Sequence, residues 1–325
     1  YPPDHKMYRE KSRRLMEYLR TFTKEIEQVS VDECYMDFTG IAGRWNSPVD
    51  GAVEIKDGIK ERFGFTVNIG ISTNKLLAKM ASDFEKPDRI HTLYPEEIKE
   101  KMWPLPIGEL YMAGKSSVEV LKKLEINTIG DLAQADLKLI MLHLKSHGKM
   151  LWEFANGIGT SVVQSEPDEA KGIGNSTTLS EDAATMEEIR PVFERLAQSV
   201  GGRLKKAGKK AGMVSMEIKY YDFRTVSHQI QLDKPSNDPE VLKETACSLF
   251  LEVWSGEPVR LLGIRTSKLT DEAAPEQLSI FDIEIPKEPD EKHKRLKKAM
   301  DELNQRFGEG AVMKASLMPK KPHNK

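Results

Sequence analysis

The chain has little cysteine, few aromatic residues and no excess of either charge. Its 325 residues include only two cysteines, Cys34 and Cys247, and aromatic residues make up 7% of the composition. Two cysteines so far apart cannot build a disulfide framework or a cysteine-based zinc site, which favours the reducing cytoplasm. The 49 basic and 51 acidic residues leave a formal net charge of −2. Any surface for a polyanion must therefore be a local cluster of basic residues.

Long hydrophobic runs are missing as well. No apolar stretch approaches the roughly 20 residues that a membrane-spanning helix needs, and no signal peptide is recognisable at the start. With 39% hydrophobic and 31% charged residues, the composition is typical of a soluble globular protein. A length of 325 residues predicts two or three domains. The opening Tyr1-Pro2-Pro3 has no initiator methionine, so we expect the chain to be part of a longer protein.

Residues 1–92 alternate between helical and strand patterns, which predicts an α/β domain. A hydroxyl of Ser72 or Thr73 is expected to cap the third helix, and Lys86-Pro87 to end it. The predicted elements are helices over residues 7–26, 49–63 and 74–84 and a strand over residues 65–71.

The remainder predicts an α+β multidomain protein with two further domains and a tail. Residues 93–165 contain short helical segments separated by glycine and no convincing strand, which predicts an all-helical domain. Residues 166–270 predict the order βαββαβ, a four-stranded sheet with two helices on one face. Its predicted strands are 176–179, 213–221, 225–232 and 259–267, and its predicted helices are 186–206 and 239–254. Residues 271–325 form a polar tail.

Two adjacent carboxylates interrupt a strand-forming stretch, SVDECYMDFTG, at residues 30–40. In a regular strand, Asp32 and Glu33 would point to opposite faces, and an unpaired buried charge costs roughly several kcal/mol. A turn centred on residues 31–33 would instead bring both to the tip of a hairpin. With a further acid, they would there suit two Mg²⁺ ions about 3.5–4 Å apart. The alternative is a solvated charged turn, and this stretch alone does not decide between the two.

Two stretches together resemble signatures of one enzyme family. SVDECYMDFTG is similar to the palm signature of the Y-family (translesion) DNA polymerases. VNIGISTNKLLAKMASDFEKP, residues 67–87, is similar to the second palm signature of that family. The resemblance implies that Asp32 and Glu33 bind two Mg²⁺ ions and are catalytic. It also implies that Lys86 binds the incoming triphosphate.

Lysines in the second stretch have less specific alternatives. Without the resemblance, Lys86 would be an ordinary solvated helix end. Lys75 and Lys79 share one helix face and could also contact phosphate, although such a stripe of charge is usually a solvated surface.

The all-helical region is similar to the thumb of that family. EVLKKLEINTIGDLAQAD, residues 119–136, resembles the second half of a helix-hairpin-helix, which presents backbone N–H groups to DNA phosphates. The resemblance implies DNA contacts at Gly114 and Lys115. The Gly-x-Gly of the family is here Met112-Ala113-Gly114, and a later glycine is replaced by Glu125. Because glycine allows the closest approach of a backbone to phosphate, we expect a weaker grip on DNA.

The βαββαβ region is similar to the little finger, the additional DNA-binding domain of the family. Basic and aromatic side chains interleave along it and could follow a DNA backbone without sequence preference. The alternative for the basic residues at 205–210 is a helix C-terminus favoured by its dipole. The DNA-contacting residues expected from the resemblance are Lys205, Lys206, Lys219 and Arg224, with Tyr220, Tyr221 and Phe223 as interleaved aromatics.

The pentapeptide QLSIF in the tail resembles the motif with which bacterial polymerases dock on the sliding clamp. The acidic residues 271–276 predict an extended tether before it. The expected clamp-binding residues are Gln277, Leu278, Ile280 and Phe281. The alternative is a segment of tail packed on its own domain.

The resemblance runs in family order from residue 1 to about residue 281. It implies error-prone, template-directed nucleotidyl transfer across DNA damage. The implied partners are primer–template DNA, a deoxynucleoside triphosphate and the β sliding clamp. We expect a cytoplasmic monomer of the polymerase IV type or, given the tail at residues 292–318, of the polymerase V branch.

The first strand of the family, with another metal-binding aspartate, and its fingers domain have no counterpart in this sequence. We therefore expect residues 1–92 to be the C-terminal part of a palm, and this chain alone to be inactive. Residues 93–165, 166–270 and 271–325 would be thumb, little finger and tail. The alternatives are a non-catalytic DNA-binding and clamp-recruiting module, and a Mg²⁺-dependent nucleotidyl cyclase or nuclease.

Overall fold

A computed structural model describes residues 3–166 and 169–273 and four isolated positions, 299, 302, 303 and 306. The chain divides into two compact units, Tyr1–Asp168 and Glu169–Lys325. The predicted clamp-binding residues 277–281 lie outside the described residues. Within the described ranges, no helix is long and apolar enough to cross a bilayer.

The first unit begins with a helix, an antiparallel β-hairpin and a second helix. These are α1 (His5–Leu19), β1 (Ile26–Gln28), β2 (Cys34–Met36) and α2 (Pro48–Phe63). The prediction that the first helix continues to residue 26 is wrong, because Ile26 begins β1. Hydroxyl groups after α1 compete for the backbone: Thr21 Oγ1 donates to the carbonyl of Tyr18, and Thr23 Oγ1 accepts from the amide of Glu25. Such local bonds favour a turn over further helix.

A parallel strand pair with an intervening helix follows. It consists of β3 (Ile69–Ile71), α3 (Lys75–Asp83) and β4 (Ile90–Thr92). The strand predicted over residues 65–71 is paired only at its end, where β4 lies beside it. The predicted cap is also wrong: Asn74 Oδ1 accepts from the amide of Leu77 at 2.9 Å, whereas Ser72 Oγ donates to the carbonyl of Leu93.

The rest of the first unit is helical, as predicted. Its α-helices are α4 (Lys115–Lys123), α5 (Ile129–Gln134) and α6 (Leu137–Ala155), and α6 is broken at Lys145, where φ is 53°. Their apolar faces share one core with Leu76, Leu77 and Met80 of α3. This core fixes the apolar face of α3, so the lysines of α3 lie on its opposite face.

The second unit has the predicted order βαββαβ. Its elements are β5 (Gly172–Ala183), α7 (Met186–Lys206), β6 (Lys209–Tyr220), β7 (Thr225–Ser236), α8 (Pro239–Val253) and β8 (Val259–Asp271). The strands form one antiparallel sheet in the order β5-β8-β6-β7, and all are longer than predicted except β6 at its C-terminal end. Val214, Met216 and Ile218 of β6 are buried in the core that includes α7 and α8. The alternate residues, such as Glu217 and Lys219, therefore lie on the open face of the sheet.

Besides Lys145, two non-glycine residues in the helical part of the first unit have positive φ angles, in the left-handed region. Met112 has φ 69° and Glu125 has φ 62°. These are the two positions at which the resemblance leads one to expect glycine. Because an L-residue other than glycine is disfavoured there, the backbone conformation explains why glycine suits both positions.

Replacing Met112 by glycine should therefore stabilise the protein. Met112→Gly should raise the free energy of unfolding by about 0.5–1 kcal/mol. Removing a left-handed L-residue gains roughly 1–2 kcal/mol, and the greater conformational entropy of glycine in the unfolded chain offsets part of that gain. Urea denaturation measures the change. Gly114→Ala is the matched control, because Gly114 has φ −72° and an added Cβ meets nothing within 4 Å. A Met112→Gly protein less stable than the parent would contradict the prediction.

Candidate metal and phosphate site

The two adjacent carboxylates lie in the turn of the β1–β2 hairpin. Residues 29–33 connect the strands, and the amides of Val29 and Ser30 both donate to the carbonyl oxygen of Glu33, at 3.0 and 3.2 Å. The predicted hairpin is thus confirmed, although its strands are shorter than expected. Since the strand ends before Asp32, neither carboxylate is forced into the core.

Ser30 organises this turn. Its Oγ accepts hydrogen bonds from the amides of Asp32 and Glu33 at 3.3 and 3.1 Å, and donates to Asp32 Oδ1 at 2.6 Å. One short side chain therefore fixes both the backbone of the acidic pair and the orientation of one carboxylate.

The two carboxylates have different surroundings. Asp32 is exposed, and among the described residues it has no basic partner. Glu33 is 50% exposed, and its Oε1 lies 2.7 Å from Lys79 Nζ on α3. The pair therefore presents one uncompensated carboxylate and one that a lysine already neutralises.

A chain of ion pairs leads from Glu33 to Lys86. Lys79 Nζ lies 3.2 Å from Asp83 Oδ2, and Asp83 Oδ1 lies 2.6 Å from Lys86 Nζ. Lys79 and Asp83 are four residues apart on α3 and therefore share one face, and Lys86, three residues beyond the end of the helix, contacts Asp83 from the following connection. The structure thus brings the predicted metal ligand Glu33 and the predicted phosphate ligand Lys86 to opposite ends of one charge chain.

Lys79 and Asp83, in the middle of this series of ion pairs, are both held in their charged forms. Burial acts to lower the pKa of Lys79, but hydrogen bonds to Glu33 and Asp83 outweigh it and raise that pKa. Burial acts to raise the pKa of Asp83, but the ammonium groups of Lys86 and Lys79 lower it overall. The alternating charges therefore persist at neutral pH.

Lys75 has a different role from Lys79. Its Nζ lies 2.7 Å from Glu27 Oε2, and the same carboxylate accepts from the amide of Gln164 at 2.8 Å. Burial acts to raise the pKa of Glu27, yet these hydrogen bonds lower it overall. Lys75 therefore joins α3 to β1 and to the segment that leaves α6, and its ammonium is not directed towards Lys86.

The acidic pair has the donor chemistry that a hard divalent cation requires. Mg²⁺ is typically bound by one or two carboxylates, with phosphate oxygens and water completing the shell. Asp32 and Glu33 supply two carboxylates at an exposed tip. Among the described residues, no group of three or more His, Cys, Asp or Glu side chains could hold a metal.

The predicted DNA contacts at Gly114 and Lys115 lie at the N-terminus of α4. Asp, Ser, Asn or Thr side chains cap the other seven α-helices of the described ranges, whereas Gly114 gives α4 no side-chain cap. Gly114 and Lys115 are both exposed. The first amides of α4 are therefore open to an external acceptor.

The basic residues predicted in the second unit are differently placed. Lys205 and Lys206 are exposed in the last turn of α7. Lys219 lies on the open face of the sheet, opposite Leu261 and Thr225 in the flanking strands. Lys219 is therefore on the face away from the helices.

Arg224 and Tyr220 make contacts within the second unit. Arg224 is ion-paired with Glu257, and its guanidinium lies 4.6 Å from the ring centroid of Tyr220. Tyr220 is only 1% exposed, so of the interleaved aromatic residues it is not available to contact DNA. Tyr221 and Phe223 are exposed.

Two residues of the acidic site, Ser30 and Asp83, are not evident from the sequence alone. Ser30 belongs to the first palm signature, but its role in the turn becomes clear only in the structure. Asp83 belongs to the second signature and carries no expected role there. A serine two residues before an aspartate is a turn signal, and an aspartate between two lysines at helical spacing is an ion-pair signal.

The sequence resembles known proteins over almost its whole length. The impB/mucB/samB family matches residues 1–83, and the impB/mucB/samB family C-terminal domain matches residues 170–280. DNA polymerase IV of Clostridium acetobutylicum is 43% identical over 320 residues, which are 98% of this chain and 79% of that protein. DNA polymerase IV 1 of Bacillus subtilis is 37% identical over 321 residues, 98% of this chain and 76% of that protein.

A solved structure shares the fold. The Y-family DNA polymerase chimera Dbh-Dpo4(243-245)-Dbh superposes with a TM-score of 0.71 at 23% identity, covering 82% of this chain and 78% of that one. This mixed α/β fold and the sequence relatives point to the same assignment. The chain belongs to the impB/mucB/samB family, the Y-family of DNA polymerases.

Proposed function

We propose that the chain is a translesion DNA polymerase whose metal site includes Asp32 and Glu33 and whose triphosphate ligand is Lys86. The observation that carries the proposal is the charge chain from Glu33 through Lys79 and Asp83 to Lys86. Metal-binding carboxylates and a phosphate-binding cation have to lie close together for nucleotidyl transfer. We further propose that the elements up to residue 92 form the palm, that residues 93–165 form the thumb, and that the βαββαβ unit is the little finger.

Asp32 and Glu33 would hold Mg²⁺, with two ions in the complete site. When bound, Mg²⁺ supplies positive charge for the triphosphate and for the attacking and leaving oxygens. Ser30 fixes Asp32 through its hydroxyl, so this carboxylate is oriented before any ligand arrives. Before a metal binds, Lys79 neutralises the charge of Glu33, so that carboxylate is not left unpaired.

Lys86 would bind an oxygen of the incoming triphosphate. Its side chain is 57% exposed, and only Asp83 pairs with it among the described residues. An exposed lysine on a single carboxylate can exchange that partner for phosphate at little cost. Asp83 retains Lys79 after the exchange, so it is never left without a cation.

DNA would be held by backbone phosphates in both units. The uncapped N-terminus of α4 offers amides and Lys115, and the second unit offers Lys205, Lys206 and Lys219. Arg224 would first have to leave Glu257. Contacts of this kind give affinity without base specificity, which suits a polymerase acting on damaged templates.

The first prediction concerns the acidic pair. Asp32→Asn in the full-length enzyme should reduce primer extension by at least about 100-fold, because a metal ligand acts on the transition state, while DNA affinity stays unchanged. Asp37→Asn is the matched control: Asp37 follows the same hairpin, and its carboxylate makes local hydrogen bonds to the amide and the side chain of Thr39. Extension by Asp32→Asn within tenfold of the parent would remove the metal role of Asp32.

The second prediction concerns the basic residues of α7. Replacing Lys205 and Lys206 by alanine should weaken duplex binding and lower the slope of log affinity against log salt by about 1 for each phosphate that is no longer neutralised. Fluorescence anisotropy at several salt concentrations measures both quantities. Lys209→Ala is the control, because Glu169 and Asp271 already neutralise Lys209. An unchanged slope in the double variant would remove Lys205 and Lys206 from the DNA-binding surface.

The third prediction concerns QLSIF, for which the sequence pattern is the support. A labelled peptide of residues 275–285 should bind the β sliding clamp saturably. Phe281→Ala should cost about 2 kcal/mol, or roughly thirtyfold in affinity, since a few apolar anchors dominate such motifs. Ser279→Ala, at the variable position, is the control and should bind like the parent. Equal binding by the Phe281 variant would leave the segment as ordinary tail.

A further inference from the structure

Lys86 lies in a short connection that is fastened at both ends by ion pairs. Before it, Asp83 at the end of α3 pairs with Lys86 itself. After it, Asp88 pairs with two lysines of α2: Oδ1 lies 3.0 Å from Lys56 Nζ and Oδ2 lies 2.8 Å from Lys60 Nζ. Each carboxylate oxygen of Asp88 therefore receives its own ammonium group.

The backbone of Asp88 is as constrained as its side chain. Its φ is 61°, in the left-handed region, where aspartate and asparagine are tolerated better than most residues other than glycine. The side chain is only 22% exposed. Hydrogen bonds from Lys60 and Lys56 lower the pKa of Asp88, so the carboxylate stays ionised at neutral pH. Two ion pairs therefore act on a residue whose conformation would otherwise be unfavourable.

The two lysines are themselves firmly placed. Lys56 and Lys60 are one turn apart on α2, next to Ile55 and Ile59, which are 3% and 2% exposed in the core with α1. Burial of Ile55 and Ile59 thus fixes α2, and the ion pairs with Lys56 and Lys60 hold Asp88 against that helix. Neither lysine needs to touch a substrate for this purpose.

We propose that Asp88 is a positioning residue that fixes the Lys86 backbone where its ammonium can reach the triphosphate. This inference rests on the proposed function of Lys86. A residue that only fastened the loop would affect stability alone. A positioning residue must also change how the enzyme binds the nucleotide, because small displacements of a charged ligand weaken binding disproportionately.

The test is steady-state incorporation by the full-length enzyme. Asp88→Asn removes the charge but keeps a residue that tolerates the left-handed conformation. It should raise the KM for the deoxynucleoside triphosphate about fivefold and leave kcat and DNA affinity unchanged. Lys86→Ala, measured in parallel, should raise the same KM about thirtyfold, since alanine cannot make the charge-assisted hydrogen bond to phosphate.

Lys60 provides the coupling measurement. Lys60→Met should raise the KM in the parent but not further in the Asp88→Asn background, because Lys60 acts through Asp88. Lys60→Arg in the parent preserves the charge of the ion pair, and its KM should equal that of the parent. Glu85→Gln is the matched control and should leave the KM unchanged: among the described residues Glu85 pairs only with Arg89, in the same connection, at 3.3 Å.

The outcomes separate the inference from the proposed function. A raised KM for Lys86→Ala with a parent-like KM for Asp88→Asn would overturn the inference alone. A parent-like KM for Lys86→Ala would overturn the triphosphate role of Lys86 and the inference with it. Additive effects of Lys60→Met and Asp88→Asn would show that Lys60 acts independently of Asp88, and would also overturn the inference.

Discussion

The ion pair between Glu33 and Lys79 is the interaction on which the rest of the site depends. It joins a hairpin tip to a helix 46 positions later in the chain. Because the apolar side of α3 is fixed in the helical core, Lys79 has little freedom, and Glu33 is oriented by a rigid partner. Asp83 and Lys86 extend the same alternation of charge, so the ion pairs continue from the hairpin along the end of α3 to Lys86.

The features that sequence could predict are those with a local cause. Apolar periodicity predicted α2, α7 and the order of the second unit, and adjacent acids between strand-forming residues predicted the hairpin. The family resemblance depends on short stretches of the same kind, and the relatives confirm it. Each of these signals lies within about 20 residues of chain, where spacing alone constrains the geometry.

The features that sequence could not predict depend on tertiary neighbours. Tyr220 belongs to a run of aromatic residues that suggests exposure, but the alternation of β6 places it in the core. Arg224 lies in a basic stretch, yet its partner Glu257 comes from beyond the end of α8, 33 positions away. The end of α1 has a different cause: helical spacing continues to Ile26, while hydroxyl groups of Thr21 and Thr23 take the backbone out of the helix.

The left-handed residues near the two proposed kinds of phosphate contact have different surroundings. At Met112 and Glu125 no ion pair within the described ranges offsets the unfavourable φ, and both lie where backbone amides would approach DNA. At Asp88 the same kind of φ is accompanied by two ion pairs to α2, whose apolar face is buried. Contacts with DNA phosphates carry no sequence information, so the proposed contacts there do not need such support. A triphosphate must be held in one position for transfer, and rigid support beside Lys86 serves that requirement.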